Sequence, residues 1–331
     1  MRATNIELCR IISILLVLIL HSNYAFIGWP NSLHETSLIR LFIQSFSIIG
    51  VNVFVLITGY FSTSPKKKSI INLVTTVLYY GIILLILGYF IGRNGISYKS
   101  ILFLSSSNWF VLDYIGLLLF CPFLNSYVET ATQSQFLKSV IMLIIFQMYF
   151  GWLPGFNLDF NHGYSILSFM IIYLIGRYLR LYGLPFLKYP LLIYLICTII
   201  LTLMGYFSLK YNIGVNSIKG SVWLDTKVYC YNNPIVIISS IAFFWFFVKT
   251  KIQYSKFINH MAKSCLAVLL IHTSWVIVPY LKRFFIYNLH IESQSIQFIS
   301  YLIGILIIFI TCVLVDQIRL FSFNKLLKLN K

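Results

Sequence analysis

The sequence predicts an all-α, polytopic membrane protein with about ten transmembrane helices and both termini in the cytoplasm. Three observations predict this class. Of the 331 residues, 59% are hydrophobic and only 10% are charged, and the mean hydropathy is +0.87. Apolar runs of about 17 to 25 residues recur along the whole chain, and each is long enough to cross a bilayer as a helix. Lysines and arginines concentrate on alternate connections, as the positive-inside rule requires.

The predicted spans follow one another along the chain. Their approximate bounds are 6–27, 38–61, 70–91, 108–128, 138–153, 164–182, 189–209, 233–248, 264–281 and 296–316. With a cytoplasmic N-terminus, most of the 25 lysines and arginines lie on the inner side. No small-residue cleavage pattern follows the first run, so it is interpreted as a retained helix. Residues 1–331 are expected to form a single membrane domain.

The formal net charge of +17 does not indicate a nucleic-acid-binding protein. The basic residues are scattered between apolar runs instead of being gathered on one domain, so the charge reports topology and contact with membrane lipids. The six cysteines lack paired ligand spacing, and no metal site is predicted. The absence of a Walker-type glycine loop and of a GxSxG elbow gives no support to ATP hydrolysis or to an α/β-hydrolase mechanism.

The first run, Glu7 to Phe26, contains two residues that a membrane helix rarely carries, Arg10 and His21. At about 100° per residue, His21 returns to within about 20° of Arg10, with a rise of roughly 16 Å between them. Ile14 and Val17 lie between them on the same face. Ionisable groups inside a membrane helix indicate function by default, so this face is predicted to line a substrate path. The alternative for Arg10 is a guanidinium that reaches the membrane interface.

Two other ionisable residues inside predicted spans are candidate functional residues, Asp113 as a partner for His21 and His272 in its own right. Asp113 lies about five residues from the outer end of the fourth run, the same depth as His21. A carboxylate on one imidazole nitrogen would fix the tautomer and raise the basicity of the other nitrogen, but a different buried donor or a water-filled vestibule explains Asp113 equally well. His272, in the ninth run, is a second intramembrane candidate and is counted among the expected substrate-binding residues, with a hydrogen bond between helices as its structural alternative.

Charged side chains near the inner surface are predicted to contact the substrate. Glu7 precedes Arg10 by three residues, which allows an ion pair that orients the guanidinium. Lys66, Lys67 and Lys68 follow Ser64-Pro65 on the inner side, where they would meet lipid headgroups or the anionic nucleotide portion of a ligand.

The first run, IELCRIISILLVLILHS, resembles the start of the acyltransferase-3 family of membrane O-acyltransferases, with an acidic residue three before an Arg and a His after ten intervening residues. The later segments NWFVLDYIGLLLFCPFLN, CLAVLLIH and VDQIRLFSFNKLLK are similar to that family's later segments, so the resemblance extends over nearly the whole chain. Trp109, near the start of NWFVLDYIGLLLFCPFLN, is counted among the expected substrate-binding residues.

The resemblance implies ten membrane helices, an acyl-coenzyme A donor taken from the cytoplasm, and a hydroxyl acceptor on a carbohydrate at the other side. The family's Arg and His correspond to Arg10 and His21, so Arg10 is expected to bind the donor and His21 to act as general base. Asp113, from its depth in the fourth run, is the candidate that orients His21. The family's usual pair of arginines spaced by two residues on an inner loop is replaced here by Lys66-Lys67-Lys68. The expected activity is therefore O-acetylation of a cell-envelope polysaccharide in the cytoplasmic membrane, and the alternatives are a polysaccharide exporter and a polytopic glycan polymerase.

Overall fold

The structure is a computed structural model that describes residues 3–61, 67–92, 109–153, 160–213 and 220–329. Within these ranges every regular element is helical. The helices are numbered in chain order as α1 Thr4–Leu20, α2 Leu38–Ser47, α3 Gly50–Tyr60, α4 Lys67–Phe90, α5 Trp109–Thr130, α6 Gln133–Gln147, α7 Ile166–Tyr182, α8 Pro190–Lys210, α9 Pro234–Lys249, α10 Lys256–Met261, α11 Cys265–His272, α12 Val278–Leu289 and α13 Gln294–Leu329. A four-residue helical turn, Gly220–Trp223, lies between α8 and α9.

The membrane-spanning character predicted from hydropathy is confirmed. In the described part of the chain, seven helical stretches are long and apolar enough to cross a bilayer, and they coincide with seven of the ten predicted spans. They are Thr4–Ala25, Leu38–Tyr60, Ile70–Phe90, Trp109–Thr130, Gln133–Trp152, Pro190–Lys210 and Gln294–Ser322. The protein is thus an all-helical, multi-pass membrane protein, whereas the count of ten and the cytoplasmic position of both termini stay predictions.

The other three predicted spans are shorter or interrupted. Helix α7 has 17 residues and α9 has 16, both near the lower limit for crossing a bilayer. The predicted span 264–281 is not one helix, because α11 ends at His272 and α12 begins at Val278. Pro279 lies in the first turn of α12, where its missing N–H leaves no hydrogen bond unmade, whereas inside a continuous helix it would break one.

Helix α1 lies at the centre of the bundle and packs on α2, α3, α9, α10, α11 and α13. Its buried residues point in several directions around the axis, as expected for a helix surrounded by protein and not by lipid. By contrast, α6, α8 and α13 expose large apolar side chains such as Ile145, Leu192 and Ile307. Side chains on α1 therefore face the interior of the protein, where a buried cavity can form.

Helices α3 and α7 make the closest contact in the bundle through two glycines. A Cβ atom added to Gly59 would collide with the backbone oxygen of Tyr173, and one added to Gly176 would collide with that of Leu56. Small residues let membrane helices approach closely and gain van der Waals contact, which replaces the hydrophobic driving force available in water. This contact supports one wall of the cavity, since α3 also packs on α1.

Candidate active site

A cavity of about 690 Å³ runs beside α1. Arg10, Ile14, Val17 and His21 all line it, so the face predicted from helical spacing is the face that meets this space. We call its two ends the Arg10 end and the His21 end. The α1 rise of about 1.5 Å per residue places roughly 16 Å between these two residues. The cavity is therefore long enough to hold an extended substrate with one end at each residue.

Two histidines form a hydrogen-bonded pair at the His21 end, and we call His21 and His272 the histidine pair. The His21 Nδ1 atom lies 2.9 Å from His272 Nε2, and His272 Nδ1 lies 2.6 Å from the backbone oxygen of Val268. A carbonyl oxygen only accepts, so His272 Nδ1 carries a proton and Nε2 of the neutral ring accepts from His21 Nδ1. The remaining nitrogen of His21, Nε2, thus keeps its lone pair and can act as a base.

Local chain geometry brings the histidine pair together. Helix α11 ends at His272, which is fully buried, and the Val268 carbonyl one turn earlier fixes its ring. On the other side, His21 begins a π-helical turn, His21–Ala25, in which Asn23 leaves helical backbone angles (φ −87°, ψ −119°). Turns of this kind occur frequently at functional sites because they redirect side chains.

Asn23 holds this π-helical turn against α2. Its Nδ2 donates to the backbone oxygen of Arg40 and to Gln44 Oε1, both at 3.0 Å, and its Oδ1 accepts from Arg40 Nε at 3.1 Å. Each polar atom of the Asn23 side chain is therefore used, although the side chain is only 3% exposed. Because His21 opens the same turn, these bonds contribute to its orientation.

The structure places His272, and not Asp113, against His21. No hydrogen bond joins Asp113 to His21, and Asp113 is not among the described residues that line the cavity. The reason is that α5 contributes Phe110 and Tyr114 to the cavity wall, while α11 approaches α1 directly. The Asp113 Oδ2 atom is buried without a hydrogen-bond partner. The orienting contact predicted for Asp113 is thus made by His272.

At the opposite end, the predicted ion pair between Glu7 and Arg10 is present but long. Glu7 Oε2 lies 3.9 Å from Arg10 Nε, and the two side chains are 5% and 28% exposed. Arg10 Nε is buried and makes no hydrogen bond. The carboxylate therefore orients the guanidinium of Arg10 without occupying it with a close bidentate contact.

Two more cations at the Arg10 end were missed by sequence reasoning, Lys263 and Arg319, both of which line the cavity. Arg319 makes two hydrogen bonds to Asp316, from Nε to Oδ1 at 2.6 Å and from Nη2 to Oδ2 at 3.0 Å. The signal that marks Arg319 is the i, i+3 spacing of an acid and an arginine at the end of the last apolar run, the same spacing as Glu7 and Arg10, whereas no such pattern marks Lys263.

Trp109 lines the cavity, and its contact with substrate stays a prediction. Its ring centroid lies 4.5 Å from that of Tyr164 and 5.7 Å from that of Tyr231. Aromatic contacts at such distances hold the indole in place. Trp109 therefore presents a rigid aromatic surface to the cavity.

The predicted cation cluster lies largely outside what the structure describes. Lys66 falls outside the described residues, and Lys67 and Lys68 open α4 with side chains that are likewise not described. Their contact with substrate stays a prediction. Within the described residues, no group of three or more His, Cys, Asp or Glu could hold a metal ion.

The cavity thus brings together a histidine nitrogen that can act as a base and three cationic side chains. Comparison with protein families then identifies the reaction class. The model of the acyltransferase-3 family, described as an acyltransferase domain, matches residues 4–316, so the chain belongs to this family of acyltransferases. Comparison with curated proteins and with solved structures gives no match.

Proposed function

We propose that the protein transfers an acetyl group from acyl-coenzyme A in the cytoplasm to a hydroxyl of a cell-envelope carbohydrate. The observation that carries this proposal is the cavity that joins Arg10 to the histidine pair. In the proposed orientation, the Arg10 end faces the cytoplasm, both termini are cytoplasmic, and the protein lies in the cytoplasmic membrane. The acceptor would be an exported or lipid-linked glycan that reaches the His21 end from the other side.

In the proposed mechanism, His21 is the general base. Its Nε2 takes the proton of the acceptor hydroxyl while that oxygen bonds to the thioester carbonyl carbon. When the carbon–sulfur bond breaks, the same proton passes to the thiolate, which yields the ester, free coenzyme A and a neutral His21. Throughout, His21 Nδ1–H donates to His272 Nε2, so the charged imidazolium keeps an acceptor.

Arg10 would bind the anionic donor, and Trp109 would contact the substrate. A guanidinium makes paired hydrogen bonds to phosphate oxygens, and the roughly 16 Å between Arg10 and His21 leaves room for a pantetheine-like arm. The aromatic surface of Trp109 lines the same cavity. Lys66, Lys67 and Lys68 would add positive charge near the donor or contact lipid headgroups.

The test is acyl transfer by the purified protein in lipid vesicles. With acetyl-coenzyme A and a lipid-linked glycan fraction, the protein should release free thiol and move labelled acetate onto carbohydrate. His21→Ala should abolish both while the variant inserts and purifies normally, because removing a general base lowers rates by about 10²–10⁴. An exporter or a glycan polymerase would release no coenzyme A, and that result would reject the proposal.

A further inference from the structure

Three cationic side chains border the Arg10 end of the cavity, and two of them pair with carboxylates that do not line it, Arg10 with Glu7 and Arg319 with Asp316. Arg10, Lys263 and Arg319 come from three different parts of the fold, and all three line the cavity. No Asp or Glu among the described residues lines it. Lys263 is exposed, whereas Arg319 is only 8% exposed, so the cations extend from the protein surface inwards. Such a set of cations attracts an anionic ligand.

Arg319 is held in one orientation by a buried network. Asp316 is fully buried, and both of its oxygens accept from Arg319. Tyr80 Oη donates to Asp316 Oδ1 at 2.6 Å, and Arg319 Nη1 donates to Thr76 Oγ1 at 3.2 Å. The guanidinium is therefore preorganised, which lowers the entropy that a bound ligand would have to remove.

We propose that Arg319 and Lys263 form a phosphate-binding site for the nucleotide portion of the donor, with Asp316 and Tyr80 as positioning residues. The proposal rests on the proposed function, since acyl-coenzyme A is the phosphorylated ligand that the cavity would take. Asp316 occupies the Nε–Nη2 edge of Arg319, so Arg319 contributes a fixed cation at the cavity wall, and Lys263 contributes a mobile point charge at the entrance. Arg319 lies beyond residues 4–316, so the family match assigns it no role.

Two ligands could supply the phosphate that this site binds: coenzyme A and the headgroup of an anionic lipid. Both can be measured by binding to the protein in vesicles of phosphatidylcholine, with and without phosphatidylglycerol. Coenzyme A and dephospho-coenzyme A are the soluble probes. The variants are Lys263→Gln and Arg319→Lys, and the matched control is Lys256→Gln, an exposed lysine on neighbouring α10 that does not line the cavity.

Lys263→Gln and Arg319→Lys should each weaken coenzyme A binding about tenfold or more, since each loses a charge-assisted contact with phosphate. Lys256→Gln should bind as the wild type does. If the loss of affinity in the variants disappears when dephospho-coenzyme A is the probe, the site binds the 3′-phosphate. If the loss persists with that probe, the site binds the pyrophosphate. Either result supports the site. The thermal unfolding temperature of Arg319→Lys is compared with that of the wild type, so that a loss of coenzyme A binding can be distinguished from a loss of fold.

Three results would overturn the assignment. Wild-type coenzyme A affinity in both variants would show that the network is structural only. Variants that lose phosphatidylglycerol binding but retain coenzyme A binding would make the site a lipid contact. If the wild-type protein itself fails to bind coenzyme A, the proposed function fails as well, which distinguishes that outcome from failure of this site alone.

Discussion

The most informative perturbation of this site is His272→Ala. It removes the acceptor that lies 2.9 Å from His21 Nδ1 and leaves that donor without its partner. An unsatisfied buried donor costs about 1–3 kcal/mol, which corresponds to roughly a 5- to 150-fold loss in kcat if the whole penalty falls on the transition state. We therefore expect a smaller defect than in His21→Ala, for which the loss of the general base predicts about 10²–10⁴.

A double-mutant comparison tests whether the two histidines act as a unit. Because His272 acts through His21, the double variant His21→Ala/His272→Ala should be no slower than His21→Ala alone. His272→Gln, which retains an acceptor oxygen, should recover part of the rate lost in His272→Ala. The assay is acceptor-dependent release of free thiol from acetyl-coenzyme A, and His34→Ala, at an exposed histidine outside the cavity, is the control.

The result that would refute this reasoning is wild-type kcat in His272→Ala, since the tautomer argument requires the acceptor. Losses that multiply in the double variant would also refute it, because they would give His272 a role of its own. The thermal unfolding temperature of each variant must be compared, since His272 is fully buried and its truncation leaves a small cavity. Loss of kcat without loss of fold at the assay temperature is the expected outcome.

The remaining predictions address the rest of the site and the topology. Arg10→Lys should raise the KM for acyl-coenzyme A, because an ammonium cannot make paired bonds to phosphate. His21→Gln should instead lower kcat and leave donor binding nearly intact. If both variants lost kcat alone, Arg10 would be a structural residue. Asn23→Ala should lower kcat about tenfold with an unchanged donor KM, since only the orientation of His21 is altered, and an equal change in KM would argue against positioning. In intact cells, a cysteine introduced at Glu35 should react with an impermeant thiol reagent, and one introduced at Lys251 should not. All six native cysteines are buried, so background labelling should be low. Labelling at Lys251 would reverse the proposed topology.

Sequence periodicity correctly predicted what lies within one helix. The spacing of Arg10 and His21 fixes their common face because an α-helix turns by about 100° per residue whatever surrounds it. The same holds for the membrane class, since run length and hydropathy are local properties of the chain. The i, i+3 contact of Glu7 with Arg10 is also local, and the structure contains it at 3.9 Å.

Periodicity within one helix could not identify the partner of His21, because that partner lies on another helix. Asp113 was predicted as the partner because it lies at the same depth as His21, but depth says nothing about which helices are neighbours. His272 is 251 residues from His21 in sequence, and only the packing of α11 against α1 brings their rings within hydrogen-bond distance. The π-helical turn that orients His21 likewise depends on polar contacts with α2, which no local pattern encodes.

The sequence by itself therefore determined the membrane fold class and the common face of Arg10 and His21, because both follow from the geometry of single helices. Tertiary structure alone decided the histidine pair and the placement of Lys263 and Arg319 at the Arg10 end. Apolar helices are alike in composition, so their neighbours are selected by close packing and by a few buried polar contacts. These contacts join residues far apart in the chain, and they form only when the whole bundle is assembled.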